Sequence, residues 1–139
     1  MASDRIWGDK SKRSIILDTS AILSLFEFSI DFNSELLRLV GKYEIFVPSQ
    51  VVEELELLSK KGKGKKSVNS KSALKLIDKY ETVDTNEKNA DKSVLSLAEK
   101  LNGIIFTNDK ELRKKANKKN IRTIFLRQKK YLNIDQQIM

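Results

Sequence analysis

Two short apolar runs, Ile15-Ile16-Leu17 and Ile104-Ile105-Phe106, each lead into an acid: Asp18 directly, and Asp109 after Thr107-Asn108. A continuous aliphatic run with β-branched members has no polar face to show to water, so it reads as a strand of a parallel sheet buried on both sides. In open sheets of that kind, ligands sit just beyond the carboxyl ends of the strands. Both acids are therefore expected at the functional edge. The chain has no histidine and no cysteine, which excludes imidazole bases, thiolate nucleophiles, disulfides and thiolate zinc sites.

From residue 14 onward strand and helix signals alternate, the order that builds a parallel sheet covered by helices on both faces. The first strand is expected over Ser14 to Asp18, with a short helix behind it that carries Ile22, Leu23, Leu25 and Phe26. A second helix starts near Ser34, a suitable N-cap, and stops at Gly41. Tyr43 to Val47 reads as the second strand, and Pro48-Ser49 opens a helix with Val51, Leu55 and Leu58 as its stripe. Ser59 to Lys71 has two glycines and no apolar periodicity, so it reads as a mobile basic loop. A helix with Leu74, Leu76 and Ile77, a weak strand Thr82 to Thr85, and a helix from about Ala90 to Leu101 follow, the last stopped by Asn102-Gly103. After the Ile104 to Thr107 strand come a basic helix ending at Asn120 and a last strand, Ile121 to Leu126. Residues 128–139 show no dependable pattern.

Length and composition suit one domain: a flexible basic segment over 1–13, the folded domain over 14–127, and a tail over 128–139. No stretch approaches the roughly 20 apolar residues of a bilayer-spanning helix, and the first residues lack a signal-peptide core. A soluble, cytoplasmic protein with no membrane partner is expected. The formal net charge is +8, and the excess is clustered: residues 60–79 hold eight lysines against one acid, and residues 110–130 hold ten Lys or Arg against one acid. Such windows would meet a polyanion first, and nucleic acid is the leading candidate.

Two more acids fall at the same sheet edge, because a helix that follows a parallel strand begins where the strand ends. Glu54 lies in the first turns of one such helix and Asp91 in the first turn of another. Each acid alone has a plain explanation: Asp91 and Asp109 suit a helix N-terminus, and Glu54 belongs to an acidic helix face with Glu53 and Glu56. Asp18 is harder to dismiss, since an acid that directly follows three aliphatic residues should be partly buried and then needs a partner. Carboxylates held close raise one another's pKa unless a cation lies between them. In a chain without His or Cys, a hard oxygen-seeking ion, Mg²⁺ or Mn²⁺, is the natural solution, and it supports hydrolysis of a phosphodiester without a histidine base.

At these residues the chain resembles the PIN-domain nucleases, over about residues 14–127. Ile15-Ile16-Leu17-Asp18-Thr19-Ser20 is similar to the family's first motif, and Pro48, Val51, Glu54 and Leu55 match its second, which selects Glu54 over Glu53. Ala90, Asp91, Leu97 and Ala98 match the third with slightly different apolar spacing, and Thr107, Asn108, Asp109 and Leu112 the fourth. The resemblance implies an α/β fold in three layers, α/β/α, with a five-stranded parallel sheet of order 3-2-1-4-5. It also implies cleavage of single-stranded RNA, or of structured rRNA or tRNA, by a Mg²⁺ or Mn²⁺ site. Asp18, Asp91 and Asp109 would hold the ion, Glu54 would orient water or complete the shell, and Ser20, Thr107 and Asn108 would support them. Lys61, Lys63, Lys65, Lys66, Lys110, Arg113 and Lys114 would bind phosphates.

The end of the match, Leu112-Arg113 and Ile124 to Lys129, is similar to archaeal proteins related to VapC toxins and to eukaryotic nucleases that process small-subunit rRNA. An antitoxin, pre-ribosomal proteins or a second copy of the chain are the partners this implies. One departure is Lys92, where relatives often place another acid, which favours a single bound ion. A catalytically weak RNA-binding or ribosome-assembly module with the same fold is the alternative. A haloacid-dehalogenase-type phosphatase would need an aspartate where Ser20 stands, and a response-regulator receiver would need an acidic pair at the first strand's end.

Overall fold

Ile15, Ile16 and Leu17 are all fully buried. Successive strand side chains point to opposite faces, so the sheet that contains them is covered on both sides. In the computed structural model, which describes residues 11–135, this strand is β1 (Arg13–Leu17). It pairs in parallel with β2 (Tyr43–Pro48) on one side and with β4 (Ile104–Phe106) on the other. β3 (Glu81–Val83) and β5 (Thr123–Arg127) extend the two flanks in parallel. The described sheet has the order β3-β2-β1-β4-β5-β6, so the expected parallel core 3-2-1-4-5 is present and carries one added edge strand. Between β1 and β4 the chain reverses its direction of travel across the sheet. That is where a doubly wound sheet opens a crevice.

The helices are α1 (Thr19–Glu27) and α2 (Phe32–Val40) after β1, α3 (Ser49–Lys61) and α4 (Lys65–Ile77) after β2, α5 (Ala90–Leu101) after β3, and α6 (Lys110–Lys118) after β4. Ile22, Leu36, Leu55, Val94, Leu97 and Leu112 bring one buried side from each of five helices to the core. The Phe32 ring stacks on Phe106 with centroids 5.7 Å apart. Asp31, rather than Ser34, caps α2: its carboxylate accepts the Ser34 N–H at 3.3 Å. No described helix is long and apolar enough to cross a membrane.

Three segments differ from the sequence reading. The stretch read as a basic loop is mostly helix: α3 runs to Lys61, the turn spans 62–64 with Gly64 at φ 64°, and α4 begins at Lys65. Its buried stripe is Ser70, Ala73 and Ile77, two of them too small to register as an apolar pattern, while lysine itself is a good helix former. The Ser67 and Ser70 hydroxyls donate to the Ser59 and Lys66 carbonyls, which ties α4 to α3 and to its own first turn.

The second difference is β6 (Tyr131–Ile134), antiparallel to β5 and inside the segment read as patternless. Its turn places Gln128 and Lys129 at φ 55° and 57°, a geometry that normally advertises itself with Asn-Gly. Those residues carry no such signal. The weak third strand lies at Glu81–Val83 rather than Thr82 to Thr85. Residues 1–10 of the expected N-terminal segment, and 136–139 of the tail, fall outside the described residues.

Candidate active site

β1 ends at Leu17, and Asp18 occupies the N-cap position of α1 in an extended conformation without using its side chain as a cap. The carboxylate is instead held by two hydroxyls. Thr107 Oγ1 donates to Asp18 Oδ2 at 2.6 Å, and Ser20 Oγ donates to the same oxygen at 2.8 Å. Both hydroxyl protons are thus committed to Asp18, so the 3.2 Å approach of Ser20 to Thr107 carries no separate donor. Thr107 is fully buried and also accepts the Asp109 N–H at 3.1 Å. One hydroxyl therefore couples the two strand-end acids.

The other carboxylates follow the same plan. Asp109 caps α6, accepting the Glu111 N–H at 2.9 Å and the Leu112 N–H at 3.3 Å on Oδ1 alone. Glu54 Oε1 accepts from Thr19 Oγ1 at 2.6 Å. In Asp18, Asp109 and Glu54, protein donors within the described residues fix one oxygen and leave its twin for another partner. Asp91 is the second helical residue of α5, which is capped by Asn89. Gln50 on α3 accepts from Ser93 on α5 at 2.6 Å and donates to the Glu87 carbonyl at 2.7 Å. This ties together the starts of the two helices that carry Glu54 and Asp91.

A cavity of about 270 Å³ is lined by Asp18, Glu54, Asp91 and Asp109 together with Thr19, Ser20 and Lys66. All four acids singled out from the sequence meet there. Burial is the main cause that pushes the Asp18 carboxyl above its ordinary range; the Thr107 and Ser20 hydroxyls oppose the rise, and the charges of Asp91 and Glu54 add to it. Asp91 is also raised, by desolvation first and then by the charge of Asp109, with Lys115 opposing. The smaller part of each rise, from neighbouring charges, is what uncompensated carboxylates do to one another. The donors are all oxygens, which suits a hard cation such as Mg²⁺ or Mn²⁺. Among the described residues no three acids form a ready-made ligand cage.

The basic residues sort into distinct groups. Lys66 lines the acidic cavity, and Lys65 and Lys66 line its neighbour. Arg113 is committed elsewhere: it pairs with Asp135 at 2.9 Å and lies over the Phe125 ring at 3.6 Å. Lys114 leans toward Glu111 at 3.8 Å, both largely exposed, so water competes for the pair. Lys61, Lys63 and Lys110 are exposed and line neither of these cavities. The Asn108 side chain also faces away from a supporting role, since its Oδ1 accepts the Leu126 N–H of β5 at 2.7 Å, whereas its backbone N–H donates to Ser20 Oγ.

Three groups at the site were given no role from the sequence. Thr19 orients Glu54, and only its place in the Asp-Thr-Ser run hinted at it. Lys92 and Lys115 line a cavity of about 330 Å³ beside Glu54 and Asp91. Lys92 stood out only as a missing acid, and Lys115 was one lysine among many.

A doubly wound α/β sheet with four carboxylates gathered at its switch point, flanked by lysines, defines a class of acidic-site proteins. A family model described as a PIN like domain matches residues 15–129, and the chain belongs to that family. It is 41% identical over 126 residues to ribonuclease VapC4 of Methanocaldococcus jannaschii, covering 86% of this chain and 95% of that protein. It is 33% identical over 135 residues to ribonuclease VapC9 of Archaeoglobus fulgidus, covering 97% and 98%. Among solved structures, the PIN domain endonuclease Utp24 aligns with a TM-score of 0.72 at 20% identity, covering 90% of this chain and 92% of that one. VapBC2 from Rickettsia felis, bound to a promoter DNA fragment, aligns at 0.58 and 21%, covering 82% and 99%. At those identities the structural likeness speaks for the fold alone.

Proposed function

We propose that this chain is an endoribonuclease that hydrolyses phosphodiesters of single-stranded RNA at the Asp18, Glu54, Asp91 and Asp109 pocket in the presence of Mg²⁺ or Mn²⁺, in the manner of a VapC-like toxin. One observation carries the reading: three of the four carboxylates are each fixed through one oxygen by protein donors, which leaves the other oxygen facing a common need for positive charge. The substantial identity to two proteins named as VapC ribonucleases supports the substrate class and the toxin role. An antitoxin partner follows from the same relatives. The likeness to the PIN domain endonuclease Utp24, at 20% identity, bears on the fold and not on the substrate.

In this reading Asp18, Asp91 and Asp109 hold the ion, partly through water. When bound, a divalent ion lowers the pKa of coordinated water and offsets charge that develops on the phosphate oxygens. The chain's own residues do the positioning. Thr107 and Ser20 keep Asp18 in one rotamer, Thr19 does so for Glu54, and Glu54 is placed to accept a hydrogen bond from water. Lys66 and Lys115 neutralise phosphates on either side of the acids.

The test is cleavage of end-labelled single-stranded RNA by the full chain in Mn²⁺ and in EDTA, beside Asp18→Asn. The asparagine keeps an oxygen for Thr107 and Ser20 and removes a charge that burial disfavours, so the fold should persist. Discrete cuts in Mn²⁺ that disappear with EDTA and fall at least about 100-fold in the variant are expected, the usual scale for loss of a key electrostatic group. Cutting at equal rate by both proteins would reject the site, and no cutting by the native chain would leave an RNA-binding module.

A further inference from the structure

Beside the acidic cavity lies a larger one, about 640 Å³, between α1 and α4. It is lined by Leu23, Phe26 and Glu27 from α1 and by Lys65, Lys66 and Asn69 from α4. Leu23 and Lys66 line the acidic cavity as well, so the two spaces adjoin and share a wall. The chemistry of the larger one is mixed in a particular way. Leu23 and Phe26, one helical turn apart on α1, give a half-buried apolar surface. Asn69 offers an amide that both donates and accepts, and Glu27 an acceptor. Lys65 and Lys66 stand at the start of a helix with no acid in its first turn and no side-chain cap, so two like charges are added at the positive end of the helix dipole. Such a placement is unfavourable in the free protein and is relieved by an anion.

An apolar slot with a hydrogen-bonding edge and a doubly cationic rim is complementary to one nucleotide: a base on the apolar surface, its polar edge at Asn69, its phosphate at the lysines. We infer that the α1–α4 cleft is a nucleobase seat, and that it takes the nucleotide next to the scissile phosphate of a single-stranded RNA. The inference rests on the ribonuclease reading for the identity of the strand, and it adds what that reading lacks, a place where the base itself is felt. The shared wall favours that occupant: a phosphodiester in the acidic cavity would adjoin a space whose rim is cationic. A neutral peptide segment would leave Lys65 and Lys66 unmatched.

The test uses the full chain in EDTA and two fluorescent octamers, one an ordinary oligoribonucleotide and one an abasic ribose-phosphate of the same length. Tighter binding of the base-bearing octamer by about 10-fold is expected, within the range that stacking of one base contributes. Phe26→Ala should abolish that preference while leaving affinity for the abasic octamer unchanged, and Asn69→Ala, a half-buried site with less to disturb, should reduce it. Equal affinity of the native chain for both octamers, or equal weakening of both by the two variants, overturns the seat; so does failure to bind either octamer. Incubation of the base-bearing octamer in Mn²⁺ separates the two ideas. Base-dependent binding without cleavage overturns the nuclease reading and leaves the seat, whereas cleavage without base dependence overturns the seat alone.

Discussion

Thr107 is the residue whose hydroxyl links the two strand-end acids. Its hydroxyl donates to Asp18 Oδ2 and accepts the Asp109 N–H, and it is fully buried. Thr107→Val preserves shape and removes both bonds, which leaves Asp18 held by Ser20 alone and a backbone N–H without its acceptor. Groups that orient ligating carboxylates typically matter about 10–100-fold in metal affinity or activity. The half-saturating Mn²⁺ concentration for RNA cleavage should rise by about that factor in Thr107→Val and return toward the native value in Thr107→Ser; an unmoved Mn²⁺ dependence would show that Thr107 is only a packing residue. Of this site the acids were legible in the sequence, because an acid after a buried strand has few structural excuses. The residues that aim them were less so. Thr19 and Gln50 act through contacts 35 and 43 positions away in the chain, and no local pattern announces a partner at that distance.

At the scale of elements, the edge strand β6 was the least legible, and its support explains why. Its turn puts Gln128 and Lys129 in the left-handed region, which costs about 1–2 kcal/mol per ordinary residue. Gln128→Asn with Lys129→Gly should therefore raise stability by roughly 1 kcal/mol, read as a shift of the urea midpoint at constant slope. What holds the strand is a pair of side chains from α2 that stand where another strand would pair. Glu35 Oε1 accepts the Leu132 N–H at 2.7 Å, and Arg38 Nη2 donates to the Leu132 carbonyl at 2.6 Å. The Arg38 hydrogen bond is the largest cause that holds the Glu35 carboxyl below its ordinary value of 4.5; burial opposes it next, the Leu132 N–H and the charge of Arg38 add smaller lowering effects, and the charge of Asp31 opposes them least.

A depressed folded pKa means that the unfolded chain takes up the proton first. The contribution of Glu35 is thus complete above about pH 4.5 and is lost as pH falls through the lowered folded value. Glu35→Gln should be less stable than the native chain by about 1 kcal/mol at neutral pH, a modest figure because the pair is partly exposed. That gap should close in acid, and a gap independent of pH would assign the loss to packing. The same scale explains the hidden start of α4. Its buried side is built of serine and alanine, so helix and loop look alike until α3 is in place to cover it.

For the whole molecule, the step that sequence alone leaves open is which strands become neighbours. Pairing of β1 with β4 brings Asp18 beside Asp109, and it follows from a chain that builds β2 and β3 on one side before it crosses to the other. With that settled, the net charge of +8 acquires a direction. Lys66 lines the acidic cavity, and Lys92 and Lys115 line the cavity beside Glu54 and Asp91, so a phosphate backbone at the acids would meet lysines from α4, α5 and α6. Each phosphate neutralised on a single strand steepens the fall of log affinity with log salt by about 0.7. Lys66→Gln and Lys115→Gln, measured by anisotropy with a single-stranded RNA over a range of salt, should each flatten that slope by about this amount. Arg113→Gln supplies the contrast. Its guanidinium is tied to Asp135 and stacked on Phe125, so the salt slope should stay as in the native chain while the urea midpoint falls. If Arg113→Gln flattens the slope and Lys115→Gln does not, RNA crosses the outer face of α6 and β5 instead of passing between the lysines that border the acids.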